Sequence, residues 1–237
     1  MRKFIACLLL MSFVGCSASV LAKEENPFIT SSDIDLIKLL PPPPADDSLQ
    51  TKAELSEILA LQASRTPEMV LRSQADSTEN IWRFADVMGV RFKREQLPVF
   101  EKFFERVEAS EGAVVDPYKD IWKRPRPYLY SNQVKPVVKL SHSGAYPSGH
   151  ATGGTLMGIV LANMVPEKRA EIMARAAEYA NNRIIGGVHY RSDIEAGRIT
   201  GTVIAARLQT RDDFNMSFEA ARKELRNVLE LDPAGSK

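Results

Sequence analysis

The chain has 237 residues, 44% apolar and 26% charged. That is enough for one domain with a real core, and the composition excludes collagen-like and disordered readings. Lys and Arg number 31 against 30 Asp and Glu, a formal charge of +1, so no basic excess argues for a nucleic-acid partner.

Residues 1–22 read as an export signal, leaving 23–237 as a single domain. Arg2 and Lys3 give a positive start, Phe4–Val14 is an apolar run broken by Ser12, and Val20-Leu21-Ala22 offers a cleavage site. The run is short for a bilayer span, so a cleaved signal and a periplasmic location are expected rather than an anchor. Phe13-Val14-Gly15-Cys16 is a rival, a lipidation signal at Cys16 with a poor first residue. Cys7 and Cys16 are the only cysteines, so a chain cut after Ala22 has no disulfide and no thiolate metal site.

Residues 23–47 read as irregular, with a stiff proline run at Pro41–Pro44. Thr51 and Glu54 suit a capping box, followed by Leu55, Ile58, Leu59 and Gln62 at helical spacing. Thr66-Pro67 suits the cap and first position of the next helix. Ile81, Phe84, Ala85 and Met88 continue the rhythm, and Gly89 ends it. Pro98–Ala109 is the clearest amphipathic stretch, with Phe100, Phe103, Phe104 and Val107 on one face as core. Residues 126–148 form a proline-containing loop. Gly149–Met164 is apolar and rich in small residues, the pattern of a buried central helix. Pro166 starts a helix running to about Asn182. Ser192 or Asp193 opens another, with Ala196, Ile199, Thr200, Val203 and Ile204 inward. Asp212 or Asp213 caps the last, whose apolar side is Phe218, Leu225, Val228 and Leu229. Strand-like alternation is nearly absent, so the fold expected is all-α, a compact helical bundle around the 149–164 helix.

Only three histidines compete for acid–base work: His142, His150 and His189. Tyr146-Pro147-Ser148-Gly149-His150 runs into the apolar helix, where free N–H groups and the helix dipole suit a phosphate. Taken alone it is equally a plain helix cap. His189 and Asp193 stand four apart, a spacing that brings side chains together on a helix face. A carboxylate on one ring nitrogen frees the other as a nucleophile, though a purely structural pair has the same spacing. Lys119, Lys123, Arg124 and Arg126 are cations able to clamp phosphate oxygens, or a solvated basic face. His142 reads as an exposed loop residue, and Tyr146 as a candidate platform for a substrate's organic part.

Together these segments resemble the three-part signature of the phosphatidic acid phosphatase type 2 superfamily, which includes the vanadium haloperoxidases. The matching residues are Lys119 to Arg126-Pro127, then Pro147-Ser148-Gly149-His150, then Arg183 to His189 to Asp193. Leu40–Ala45 and Gly144–Ala151 are similar to segments of bacterial class A non-specific acid phosphatases. Ala145 and Ala151 depart from that pattern, and Asn182 stands where a serine is usual and is expected to donate to phosphate or brace Arg183.

The resemblance implies an acid phosphatase/haloperoxidase-like helical fold and hydrolysis of small-molecule phosphate monoesters without metal or other cofactor. It implies His189 as nucleophile, Asp193 as its orienting residue and His150 as leaving-group acid. Lys119, Arg126, Ser148, Gly149 and Arg183 would hold the phosphoryl oxygens. A homodimer is common in the resembled family. The alternatives are a lipid, pyrophosphate or nucleotide phosphatase, a haloperoxidase, and a non-catalytic phosphate-binding module.

Overall fold

A computed structural model describes residues 26–232; residues 1–22, read as an export signal, with Cys7 and Cys16, lie outside them. Among the described residues every regular element is helical: α1 (Leu36–Leu39), α2 (Leu49–Ser64), α3 (Pro67–Ala75), α4 (Ala85–Met88), α5 (Pro98–Trp122), α6 (Pro127–Tyr130), α7 (Gly149–Met164), α8 (Arg169–Ile185), α9 (Arg191–Leu208) and α10 (Asp212–Val228). Single 3₁₀ turns at Ile81–Phe84, Arg94–Gln96 and Pro166–Lys168 lead into neighbouring elements. No helix of the described residues is long and apolar enough to cross a membrane.

The centre is α7, as its composition predicts. Its residues from Gly149 to Met164 are buried on nearly every side, including Leu156, Met157, Val160 and Leu161. Ser148 starts it by accepting a hydrogen bond from Ala151 N at 3.3 Å. Helices α8 and α9 flank it. The approach of α9 is close enough to need glycine: a Cβ on Gly201 would fall 2.4 Å from Thr152 O, and one on Gly197 2.6 Å from Ser148 O. This contact fixes the start of α9 against the start of α7.

Helix α5 runs well past Ala109, so that Lys119 stands in its last turn. Phe100, Phe103, Phe104 and Val107 are buried as their spacing predicts, and Phe103 meets Phe214 of α10 at 5.3 Å. Pro117 inside α5 has no N–H to donate to the carbonyl four residues back. That carbonyl, Ala113 O, accepts from Ser31 N at 3.1 Å instead. Phe28 N donates to Ser110 Oγ at 2.8 Å and Tyr118 Oη to Ile34 O at 3.1 Å. The segment ahead of α1 is thus a strap along α5.

Several boundaries depart from the sequence reading. The cap of α2 is Ser48, whose Oγ accepts from Thr51 N at 3.1 Å; Thr51 lies inside the helix and Glu54 turns to other partners. Helix α1 forms within the segment read as irregular, and α6 within the loop at 126–148. Helix α8 extends to Ile185, past Asn182. Helix α9 begins at Arg191, and Ile199, read as inward, is 46% exposed. The residue at the cap of α10 is Arg211, with Asp212 and Asp213 in the first turn.

Gly201→Ala should destabilise the fold by about 1–3 kcal/mol, because the new methyl meets backbone that cannot move aside. Gly112→Ala, whose Cβ would find its nearest neighbour at 3.5 Å, should be neutral or stabilising. Urea denaturation of the two variants measures the contrast.

Candidate active site

His189 stands on the turn between α8 and α9, two residues ahead of the helix. The pair with Asp193 therefore forms through helix capping, not along a helix face. Asp193 is the third residue of α9, where N–H groups lack intrahelical partners. Its Oδ2 accepts from Tyr190 N at 2.8 Å and lies 3.3 Å from His189 Nδ1. The other ring nitrogen, Nε2, is 3.1 Å from Arg126 Nη1. A guanidinium only donates, so Nε2 carries the lone pair and Nδ1 the hydrogen. Burial first, then Arg126 and Arg183, hold the pKa of His189 well below the usual imidazole range. The result is a neutral ring in one tautomer with its lone pair on Nε2.

Asp193 is itself fully buried, and burial pushes its pKa up to about 6 against the pull of Arg124. Arg124 Nη1 donates to Asp193 Oδ1 at 2.5 Å and to Ser192 Oγ at 2.7 Å. Its Nη2 donates to Glu54 Oε2 at 3.1 Å, and its guanidinium lies 4.2 Å from the Tyr190 ring centre. Glu54 of α2 also accepts from Ser192 Oγ at 2.8 Å. Arg124 and Glu54 thus stand behind the pair; the sequence reading had Arg124 only as one of a run of cations and Glu54 only as a helix cap.

Three cations converge on the same side. Arg126, just ahead of α6, donates to Ser143 O at 2.9 Å, Val188 O at 3.1 Å and Gly144 O at 3.4 Å. Arg183, in the last turn of α8, donates to Ser77 Oγ at 3.3 Å, and its Nε is buried with no partner. Among the described residues neither forms an ion pair with a carboxylate, although both are nearly inaccessible to solvent, at 5% each. Burial lowers the pKa of both. Lys119 Nζ, which also reaches Asp116 at 2.8 Å, lies over the start of α7, 3.2 Å from where a Cβ on Gly149 would be. Ser148 is held there by its own N–H, which donates to Asp193 O at 3.0 Å. A buried guanidinium without a counter-charge is costly. Two of them beside a helix N-terminus make a site that an anion completes.

His150, in the first turn of α7, places Nε2 3.3 Å from Ser77 O and Nδ1 3.4 Å from Glu79 Oε2. Its ring stacks on Tyr179 at 5.8 Å. Burial, then Arg183, pushes its pKa well below the usual range. Ser77 is set by its neighbour Asp76, a buried carboxylate that receives Arg175 Nη2 at 2.5 Å and Asn182 Nδ2 at 2.7 Å.

Two expectations are corrected. Asn182 neither braces Arg183 nor faces the anion site; it ties α8 to Asp76. Tyr146 is no substrate platform: it is buried, donates to Pro41 O at 2.8 Å and packs edge-on against Trp122 at 5.0 Å. His142 is exposed in its loop, as read.

The PAP2 superfamily profile matches residues 107–214, a span that holds Lys119, Arg126, His150, Arg183, His189 and Asp193. The chain is 32% identical over 201 residues to a non-specific acid phosphatase of Salmonella typhimurium, covering 81% of this chain and 80% of that one. It is 30% identical over 237 residues to an acid phosphatase of Zymomonas mobilis subsp. mobilis, covering 94% and 90%. Among solved structures, a bacterial vanadium-dependent iodoperoxidase superposes with a TM-score of 0.58 at 20% identity. That match covers 78% of this chain and 54% of the other, and what it shows is a shared helical fold.

Arg124→Met removes the counter-charge of a buried carboxylate and should cost about 3–5 kcal/mol near neutral pH. The loss should shrink as pH falls toward about 6, because without Arg124 the Asp193 carboxyl takes up its proton at a higher pH than in the wild type, where its pKa is about 6. Urea denaturation of variant and wild type at pH 7.5 and pH 5 measures both effects.

Proposed function

Because the chain belongs to the non-specific acid phosphatases of the PAP2 superfamily, we propose that it is an exported, periplasmic enzyme of broad specificity that hydrolyses phosphate monoesters through a phosphohistidine at His189. The observation that supports this most is the state of His189: a neutral ring with its lone pair on Nε2. It stands beside two buried guanidiniums that form no ion pair with a carboxylate among the described residues.

In this reading the ester's phosphoryl group enters between Arg126, Arg183, Lys119 and the N–H groups at the start of α7. Arg126 gives up its hydrogen bond to His189 Nε2 and turns to a phosphoryl oxygen. His189 Nε2 attacks phosphorus in line as the bond to the ester oxygen breaks, and charge appears on the imidazole. Asp193 stabilises that charge through Nδ1–H and holds the ring in line. His150 gives its proton to the leaving oxygen. The neutral His150 then takes a proton from water, whose oxygen attacks phosphorus and releases His189 with inorganic phosphate. Transfer of this kind needs positioning and charge neutralisation above all, which is what the four cationic and dipolar groups supply.

Burial and Arg183 drive the proton off His150, so the acid form persists only toward low pH or while a phosphate dianion sits beside it. The rate should therefore fall as pH rises through the pKa of His150 in the substrate complex. A rate rising into the alkaline range is the outcome that would sink this role.

His189→Ala should abolish phosphate release from p-nitrophenyl phosphate in EDTA. Labelled substrate quenched into alkaline denaturant should leave phosphate on the wild type and none on the variant. Robust turnover by the variant would remove His189 as nucleophile. If the wild type binds phosphate but releases none from the ester, the chain is a binding module instead.

A further inference from the structure

His189 has a dedicated carboxylate in Asp193, whereas the mechanism so far gives His150 no partner. Glu79 stands beside it. This residue closes the turn after α3, next to Asp76 and Ser77, and its Oε2 lies 3.4 Å from His150 Nδ1. Its Oε1 is buried without a hydrogen-bond partner. That oxygen lies over Gly153 of α7, where a Cβ would fall only 2.6 Å away. Gly153 therefore makes the seat that Glu79 occupies.

The opposite edge of the ring settles which nitrogen titrates. His150 Nε2 is 3.3 Å from Ser77 O, and a carbonyl oxygen only accepts. Nε2 therefore keeps its hydrogen in both charge states. The proton that His150 gains and loses sits on Nδ1, the nitrogen turned to Glu79. Tyr179 stacks on the ring and is fixed by its own hydroxyl, which donates to Thr78 O at 3.1 Å.

Around this proton the charges are opposed. Arg183 of α8, His189 of the α8–α9 turn and Lys119 of α5 act against it, together with burial. On the other side stand Glu79 and, behind it, Glu111 of α5, whose Oε1 would lie 3.1 Å from a Cβ on Gly149. Glu79 alone of these two touches the ring. Its own carboxyl is pushed up by burial, pulled down by Lys119 and Arg183, and pushed up again by Asp116.

We propose that Glu79 is the positioning residue of His150: seated on Gly153, it holds the Nδ1 proton on the ring for delivery to the leaving oxygen. This rests on His150 being the leaving-group acid. Its logic mirrors Asp193 with the opposite result. Asp193 fixes a hydrogen so that the far nitrogen of His189 is a base; Glu79 retains a proton so that the near nitrogen of His150 is an acid.

The three histidines of the chain make an NMR titration of the imidazoles assignable without any turnover. Glu79→Gln should lower the midpoint of His150 by about one pH unit, the usual effect of losing an adjacent carboxylate, and leave His142 unmoved. Steady-state rates should show a matching split. The loss should be about tenfold on β-glycerophosphate, whose alkoxide needs a proton, and less than about threefold on p-nitrophenyl phosphate, whose phenolate does not. Glu79→Asp should restore most of the lost rate. Gly153→Ala should reproduce the Gln phenotype by displacing the carboxylate, and stands in if Glu79→Gln does not fold. The assignment is overturned by a His150 midpoint that stays or rises in these variants, or by equal losses on the two esters. A wild type inactive on both esters would fell the phosphatase reading, while the titration would still report on the pair.

Discussion

A carboxylate cut off from solvent must find every partner within the protein, and Asp193 gathers its partners from several separate stretches of chain. Its side chain receives Arg124, the Tyr190 amide and the His189 ring. Its carbonyl oxygen receives the amide of Ser148, at the start of α7. One residue thereby caps α9, orients the His189 ring and sets the distance between that ring and the α7 N-terminus. Arg124 then brings in Glu54, so α2 is tied to the same point. The arrangement exists because α9 begins where it does, and α9 begins there because Gly197 and Gly201 let it lie against the backbone of α7.

Asp76 does comparable work on the other flank. It draws in Arg175 and Asn182 from α8 and Arg83 from the 3₁₀ turn, which fixes the Ser77–Glu79 turn beside His150. The two guanidiniums between these hubs are treated differently. Arg124 and Arg175 are paired with buried acids; Arg126 and Arg183 donate to carbonyl and hydroxyl oxygens and, from Arg126, to the His189 ring, but form no ion pair among the described residues. The inner cations lie buried without an ion-paired carboxylate, an arrangement that a bound anion would complete.

Much of this was legible in the sequence because it rests on local patterns. The period of Phe100, Phe103, Phe104 and Val107 marked α5, and the small apolar run after Ser148 marked α7 within a residue. The motif residues Lys119, Arg126, His150, Arg183, His189 and Asp193, far apart in the chain, are brought together beside the start of α7. The supporting residues were not legible. Glu54 looked like a cap because it follows Thr51 by three, and nothing local reveals an arginine 70 residues away. Asn182 reads as donating to phosphate or bracing Arg183 because it stands where the family signature has a serine, yet neighbours on a helix point to different faces, and it meets Asp76. The length of α5 was missed because the aromatic stripe covers only Pro98–Ala109, whereas the helix runs on over Pro117, with the freed Ala113 carbonyl accepting from Ser31 N, a partner no local pattern reveals.

That donor has a kinetic consequence. The strap from Phe28 to Ile34 is the part of the described chain synthesised first, but its partners Ser110, Ala113 and Tyr118 come more than 80 residues later. Contacts of such separation close late, after the entropy of the intervening loop has been lost. The first-made segment must therefore wait unpaired until α5 has been synthesised.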